Sequence, residues 1–495
     1  MKPVNFIDRT LMAAFPVYAE KRVAARLRSQ YMLAQAGYDS AGGGSRWFRA
    51  RGTSQNTENK TQAHIIRDNV RELERNNPYV GTAVNVIQSR TVGAGMKPKA
   101  KHPTNDRKRK LAQKLINEWA KTTACDYHGN KNLYGLQSLA MRSISLSGEG
   151  LYLKRLERDP RLTIPLKIEL LEGDFIDNYK DTMASGGSII QGVEIQKGSP
   201  SNYHLFNHHP GEGGGRGLVS KPVPSDVVAH GFEILRPGQR RGIPWGYNVL
   251  TKIKGLDDFQ DARIEQQRMA SCLMAYIYSE DDTAKGSPLP SVMGPGLIAR
   301  LKGGEQMGFN TPPSVSGQGE FIKGEEYLIA SAYGITREAL TGDYSNTNFA
   351  SGKMASIQMY TNVERWQQHI MQAQLLDKVG HWFIEAAGWV GIDLEGVTFE
   401  WTPPKKQILD LKNELPAIIS EVRSGLNSLQ NALRERGYDV EEILAEMKED
   451  QDLIDQYGLI LDIDARNTNK AGQLQQVSAA PVAIESQAEE EESDD

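Results

Sequence analysis

A long apolar stripe in the second half of the chain constrains the fold most. Its members recur every three or four positions: Val363, Trp366, Ile370, Ala373, Leu376, Val379 and Phe383. This spacing predicts one amphipathic helix from about Ser351 to Ala387. At 1.5 Å per residue that helix is roughly 50 Å long. In a chain of this size we expect it to be a pillar between layers of the protein.

Other segments follow different patterns, which together predict an α+β, mainly helical chain. Two helices flank Asn77-Pro78, because proline disfavours a helical residue before it. Short β-type runs separated by Gly, Pro, Ser and Asp fill Gly150 to His230, and helical spacing returns over Tyr247 to Ser279. Thr402-Pro403-Pro404 predicts a boundary before a small helical domain.

Composition narrows the range of partners. The chain has 495 residues, and its 58 basic and 62 acidic side chains give a net charge of −4. Proteins that hold DNA phosphates tightly carry a basic excess, so any DNA contact is predicted to be loose or local. Cys125 and Cys272 lie far apart, so neither a disulfide framework nor a thiolate zinc site is expected.

No membrane segment or leader is predicted. No stretch approaches the roughly 20 apolar residues that span a bilayer. Residues 1–28 mix charged and apolar side chains and lack the apolar core and cleavage site of a signal peptide. We therefore expect a protein made and kept in a reducing cytoplasm.

Sequence motifs of catalysis are missing. The chain has no G-x-x-x-x-G-K-[ST], H-E-x-x-H or G-x-S-x-G pattern. His204, His208 and His209 cluster, but adjacent residues of a strand point to opposite faces, so His208 and His209 would chelate one metal poorly. We predict no catalytic residue, no metal site and no cofactor.

Two charged clusters each allow two interpretations. Asp257, Asp261 and Glu265 recur at i, i+4 and i+8 on one helix face. This face is either a solvated or channel-facing acidic surface or, less simply, part of a two-metal nuclease site. The basic run Arg107, Lys108, Arg109 and Lys110 is either a solvated helix face or a patch that faces DNA or a partner.

Five segments, in order, resemble the lambda-type portal proteins of tailed bacteriophages. They are Asn76-Asn77-Pro78-Tyr79 with Val92-Gly93-Ala94-Gly95; Pro224 to His230 with Arg236-Pro237-Gly238-Gln239 and Arg241-Gly242-Ile243-Pro244-Trp245; Leu256-Asp257-Asp258-Phe259; Gly342 to Ser351; and Gly425 to Leu429 with Arg436-Gly437-Tyr438-Asp439. Each match alone is weak, but their shared order over residues 65–460 is specific.

This resemblance implies a non-enzymatic homo-oligomer. The family forms a ring, usually a dodecamer, at one capsid vertex, where double-stranded DNA is packaged and ejected without sequence specificity. Implied partners are the large terminase subunit, a head–tail adaptor, and the major capsid and scaffold proteins. The implied location is the virion, and the host cytoplasm during assembly. Another head–tail connector ring and a metal-dependent nuclease remain as alternatives.

The family's order of parts also divides the chain. The predicted parts are a flexible arm (1–60), wing (61–188), β-rich clip (189–246), stem helix (247–285), second wing part (286–340), tunnel loop (341–352), long helix (353–400), helical crown (401–460) and disordered acidic tail (461–495). In the tunnel loop, the residues predicted to face DNA are Tyr344, Ser345, Asn346, Thr347 and Asn348. The short polar side chains of the last four would touch a duplex without reading its bases.

Overall fold

A computed structural model describes most of the chain. The described residues are 53–184, 187–212, 218–271, 275–279, 305–309, 318–404, 411–434, 436, 438 and 440–459. The predicted acidic tail and nearly all of the predicted arm lie outside them. The chain forms two compact units, Met1–Pro404 (unit 1) and Lys405–Asp495 (unit 2).

The described part of unit 1 begins with two helices, α1 (Gln55–Asn76) and α2 (Pro78–Thr91). Asn77 separates them, and its side-chain oxygen accepts hydrogen bonds from the backbone N–H groups of Tyr79 (2.9 Å) and Val80 (3.3 Å). Pro78 occupies the first turn, where a missing N–H costs nothing. The predicted break at Asn77-Pro78 is confirmed.

The basic segment from Lys97 to Lys121 is a strand followed by a helix. Strand β1 (Lys97–Lys101) precedes α3 (Asp106–Lys121), which buries Leu115, Ile116 and Trp119. Helix α4 (Leu133–Ser147) follows and ends at Gly148.

The predicted short strands form two antiparallel sheets. Strands β2 (Glu149–Leu156), β3 (Leu166–Glu172) and β9 (Val228–Phe232) make a three-stranded sheet with β2 in the middle. The other sheet has five strands in sequence order: β4 (Thr182–Ala184), β5 (Gly187–Ile190), β6 (Val193–Gln196), β7 (Ser199–Phe206) and β8 (Ser220–Pro224).

The helix predicted over Tyr247 to Ser279 is shorter than expected. Helix α5 (Leu250–Ser271) buries Leu250, Ile253 and Leu256 on one face, as predicted. Strand β10 (Ala275–Ser279) instead pairs antiparallel with β11 (Glu305–Phe309). The β-branched and aromatic residues of this segment suit a strand.

Helices α6 (Gln318–Tyr333) and α7 (Arg337–Thr341) lead to the long helix. Thr336 caps α7, as predicted, by accepting a hydrogen bond from the N–H of Ala339 (3.1 Å).

The long helix is present, but its middle has π geometry. Helix α8 (Phe349–Arg365) continues into a π-helical segment (Trp366–Leu376) and then α9 (Asp377–Trp389). Bonds between residues i and i+5 widen this segment, so Met371 and Leu375 are buried. Ala373, expected in the buried stripe, is exposed.

The core of unit 1 surrounds this helix. Trp366 packs against Trp245, with ring centroids 4.7 Å apart, and Phe383 packs against Trp119 at 5.4 Å. Strand β12 (Thr398–Thr402) then pairs antiparallel with β1. The predicted long-helix range, 353–400, therefore ends in a strand.

Unit 2 contains α10 (Leu411–Arg423), α11 (Leu429–Arg434) and α12 (Val440–Tyr457). Across the described parts of both units, no helix combines the length and apolar character needed to cross a membrane.

Candidate functional site

The segment predicted as the tunnel loop connects α7 to α8 and is held at its base. Gly342 ends α7 in the left-handed conformation (φ 72°). The Asp343 carboxylate accepts hydrogen bonds from the Ser345 N–H (3.0 Å), the Ser345 hydroxyl (2.6 Å) and Arg337 Nη2 (2.9 Å). These bonds from Ser345 and Arg337 hold the pKa of Asp343 well below its ordinary range.

Arg337 connects the loop to α6. Its buried side chain donates from Nε to Glu326 Oε2 (2.9 Å) as well as to Asp343. Glu326 also accepts a hydrogen bond from the Tyr79 hydroxyl (3.2 Å), which brings in α2. One cation thus lies between two carboxylates, and the loop base is anchored to two helices.

The five predicted DNA-facing residues lie together on this loop, and four of them are exposed. Tyr344 is 61% exposed, Ser345, Asn346 and Asn348 are exposed, and Thr347 is half-buried. Asn348 also caps α8, because its side-chain oxygen accepts a hydrogen bond from the N–H of Ser351 (2.7 Å). The loop therefore ends at Asn348, before the predicted limit of 352.

A cleft of about 440 Å³ lies beside the loop. Its walls include Tyr327 of α6, Arg337 of α7, Asn346 and Thr347 of the loop, and Gln358 of α8. The guanidinium carbon of Arg337 lies 5.5 Å from the centroid of the Tyr327 ring, a cation–π distance.

The three carboxylates predicted to share a face of α5 have different surroundings. Asp257 is half-buried and accepts a hydrogen bond from Asn77 Nδ2 (2.7 Å), so it holds α5 against the start of α2. Asp261 and Glu265 are exposed, and Glu265 pairs with Arg268 (2.6 Å).

Three of the four residues of the basic run bind carboxylates of unit 1. Lys108 pairs with Asp393 (2.7 Å), while Arg109 (2.7 Å) and Lys110 (2.9 Å) both pair with Asp106. Arg107 is exposed. These pairs reduce the net positive charge that the run presents.

Sequence analysis missed a buried charged cluster around Glu149, at the start of β2. The fully buried Glu149 carboxylate accepts hydrogen bonds from Arg241 Nη2 (2.6 Å), Arg67 Nη2 (2.9 Å) and His230 Nε2 (3.0 Å). The N–H of Gly242 is a further donor, at 3.1 Å. The available signal was in the portal-like segments, because His230, Arg241 and Gly242 all belong to them.

Charge balance decides the ionisation of this cluster. Burial raises the pKa of Glu149, but Arg241, the His230 hydrogen bond and Arg67 outweigh it, and the pKa lies well below its ordinary value. Burial, with the nearby Arg241 and Lys378, lowers the pKa of His230 despite its bond to Glu149. Glu149 is therefore a carboxylate and His230 a neutral donor.

A second group contains His209, one of the three clustered histidines. His209 Nε2 lies 3.5 Å from Glu172 and 3.9 Å from Asp174, and the three could surround a cation. Arg71, however, binds both of these carboxylates, and Arg67 donates to Asp174 (2.8 Å). Two arginines already balance the acidic charge, which disfavours a metal ion here.

Known proteins similar to this chain point to one family. The sequence profile of the family described as "Phage portal protein, lambda family" matches residues 42–367. A "Probable portal protein" of Halomonas phage phiHAP-1 is 20% identical over 414 residues, covering 78% of this chain and 79% of that protein.

Solved structures to which this chain aligns include two from such proteins or particles. The neck of a native gene transfer agent particle aligns at a TM-score of 0.45 and 16% identity, over 75% of this chain and 94% of that one. An HK97-family phage portal protein from Corynebacterium diphtheriae aligns at a TM-score of 0.29 and 11% identity, over 67% of this chain and 94% of that one.

Proposed function

Because the chain belongs to the lambda family of phage portal proteins, and so has a portal role, we propose that it forms a twelve-subunit ring at one capsid vertex. Double-stranded DNA enters and leaves the capsid through this ring. The observation that carries the proposal is the family match over residues 42–367, two thirds of the chain. The protein acts as a structural conduit and not as an enzyme.

The loop from Gly342 to Asn348 is the proposed point of closest approach to DNA. None of its side chains is cationic, and the nearest cation of α7, Arg337, is bound by Asp343 and Glu326. A loop of this kind releases no counterions from phosphates, so DNA slides past it without being held. The anchored base keeps the exposed tip in position against the moving duplex.

The remaining parts are assigned in the family's order. The wing holds α1 to α4, the clip (189–246) holds most of the five-stranded sheet, α5 belongs to the stem, and the helices of unit 2 form the crown (401–460). We propose that the clip binds the large terminase subunit during packaging and the head–tail adaptor afterwards. The wing contacts capsid and scaffold proteins, during assembly in the host cytoplasm and then in the virion.

The charged clusters fit the same scheme. The exposed Asp261 and Glu265 of α5 face the channel, where like charge repels phosphate. The exposed Arg107 of α3 is the member of the basic run that remains for DNA or a partner.

Native mass spectrometry and negative-stain images of one sample test the ring. Twelve copies of 54.9 kDa weigh about 660 kDa. A particle of that mass with a central hole wide enough for a duplex supports the proposal. The same measurement is repeated with capsid and scaffold proteins co-expressed, because the ring could close only during assembly.

A stable dimer or tetramer without a hole under both conditions contradicts the proposal. Cleavage of DNA by the purified protein would instead favour the nuclease alternative. A ring that binds an assembled portal, and does not itself bind terminase, would favour the connector alternative.

A further inference from the structure

The helices of unit 2 leave their apolar sides exposed. In α10, Leu415, Ile418, Ile419 and Val422 form one stripe at helical spacing, yet Leu415 is 40% and Ile419 45% exposed. In α12, Leu444 (43%) and Met447 (50%) are exposed in a similar stripe.

The internal core of unit 2 is too small to account for these helices. Among its described residues, only Ala432 and Val440 are buried. Helices of 13, 6 and 18 residues are marginal in water unless an apolar face packs against something. The two stripes therefore need a partner surface.

The charges of α10 and α12 indicate which surface covers the two apolar stripes. Helix α12 and the two residues after it carry one cation, Lys448, and seven carboxylates: Glu441, Glu442, Glu446, Glu449, Asp450, Asp452 and Asp455. Two α12 helices face to face would bring like charges together at a cost. Helix α10 is neutral overall, with Lys412 and Arg423 against Glu414 and Glu421. Its two cations are exposed and lie in one row, eleven residues or about three turns apart.

We propose that the apolar stripe of α10 in one copy of this chain packs against the stripe of α12 in the next copy. Lys412 and Arg423 then lie beside the acidic edges of the neighbouring α12. Each copy uses one surface toward one neighbour and a different surface toward the other, which is a head-to-tail contact that closes into a ring. This interface rests on the proposed ring and specifies which helices of neighbouring subunits meet.

Cysteine cross-linking of full-length rings tests the contact. Three variants are oxidised and separated without reductant: Ile419→Cys, Met447→Cys and the double variant. The head-to-tail contact predicts a ladder of dimers, trimers and longer chains for the double variant. Each single variant should stay monomeric, like the parent chain with its native Cys125 and Cys272 under the same conditions.

Other cross-linking patterns overturn the interface. Dimers from Met447→Cys alone mean that α12 meets α12. A double variant that forms only cross-linked monomer means that the stripes cover each other within one chain. Rings of the parent chain with no ladder in the double variant contradict this interface alone. A parent chain that forms no ring, either by itself or with capsid and scaffold proteins co-expressed, contradicts the proposed function as well.

Charge exchange gives an independent readout. Lys412→Glu with Arg423→Glu should lower the yield of rings at least about five-fold at low salt. Adding Glu446→Lys and Asp450→Lys to the same chain should recover most of that yield, because opposite charges again face each other. An unchanged yield in the first variant, or no recovery in the second, overturns the pairing.

Discussion

Nη2 of Arg241 lies 2.6 Å from Oε1 of Glu149 in the interior of unit 1, with both side chains almost completely excluded from solvent. Arg241 also donates to the backbone carbonyls of Gln191 (2.9 Å) and Gly173 (2.8 Å). Gln191 lies in the turn between β5 and β6, and Glu149 begins β2. This one guanidinium therefore joins the five-stranded sheet to the three-stranded sheet.

Removing the negative charge at the centre of this cluster should be strongly destabilising. In Glu149→Gln, Arg241 keeps only carbonyl partners while it stays buried. Breaking a buried ion pair in this way costs about 3–5 kcal/mol. The free energy of unfolding, measured by denaturant titration with tryptophan fluorescence, checks this value.

Glu172→Gln is the matched control. The Glu172 side chain is 48% exposed, although it too binds an arginine, Arg71. Exposed pairs contribute about 0–1 kcal/mol, so the control should lose no more than that. Equal losses in the two variants would contradict a special role for the buried cluster.

Stability should fall as the pH is lowered through the ordinary range of histidine. Burial keeps His230 neutral when folded and lowers its pKa below 6.5, so the unfolded chain binds a proton that the folded chain does not. The resulting stability is complete above about pH 6.5 and is lost as the pH falls. Between pH 7.5 and 5.5 the loss from this one group is up to about 1.4 kcal/mol.

His230→Asn removes the titrating group, so stability should depend less on pH between 7.5 and 5.5. His128→Asn replaces an exposed histidine and is the matched control for the substitution itself. Unfolding midpoints at pH 7.5, 6.5 and 5.5 decide between these outcomes. An equal pH slope in wild type and His230→Asn would mean that other groups carry the dependence.

Local rules predicted two helix starts and the apolar face of α5. Asn77-Pro78 and Thr336 act through hydrogen bonds to N–H groups two or three residues away, so their effect is visible in a short stretch of sequence. The burial of Leu250, Ile253 and Leu256 follows from the 3.6-residue period. The π-helical segment was missed because that period was assumed throughout the long helix.

Long-range polar contacts could not be predicted in the same way. Glu149 is separated from Arg67 by 82 residues and from Arg241 by 92, and a single acidic residue at the start of a strand carries no local signal. The loop from Gly342 to Asn348 was located by its resemblance to a family. Its anchor, Arg337 between Asp343 and Glu326, depends on tertiary packing.

Gly242 should tolerate no side chain. A Cβ at this position would lie 2.0 Å from the carbonyl oxygen of Gly148, so Gly242→Ala must push two backbone segments apart. The same shift would lengthen the bond from the Gly242 N–H to Glu149. We expect a loss of about 2–3 kcal/mol in the free energy of unfolding.

Gly255 offers the opposite case within α5. A Cβ there meets nothing within 4 Å, and alanine favours the helix, so Gly255→Ala should gain about 0.5–1 kcal/mol. Denaturant titration of both variants and of the parent chain measures whether each substitution lowers or raises the free energy of unfolding. A Gly242→Ala variant as stable as the parent would show that the backbone contact is not tight.

A cation on the proposed DNA-facing loop should slow packaging. Asn346→Arg places a guanidinium on each subunit of the ring, where it can bind phosphate as the duplex passes. We expect the translocation rate in an in vitro packaging reaction to fall several-fold at low salt and to recover partly at high salt, because salt screens this contact. Asn346→Gln, which lengthens the side chain without adding charge, should package at the parent rate.

Asn348 requires a different design, because its side chain caps α8. Asn348→Arg both adds charge and removes the cap, which is worth about 1 kcal/mol. Asn348→Ala removes the capping oxygen without adding charge and so separates the two effects. An unchanged packaging rate in Asn346→Arg at low salt, in rings of normal yield, would contradict the placement of this loop against DNA whatever the outcome at position 348.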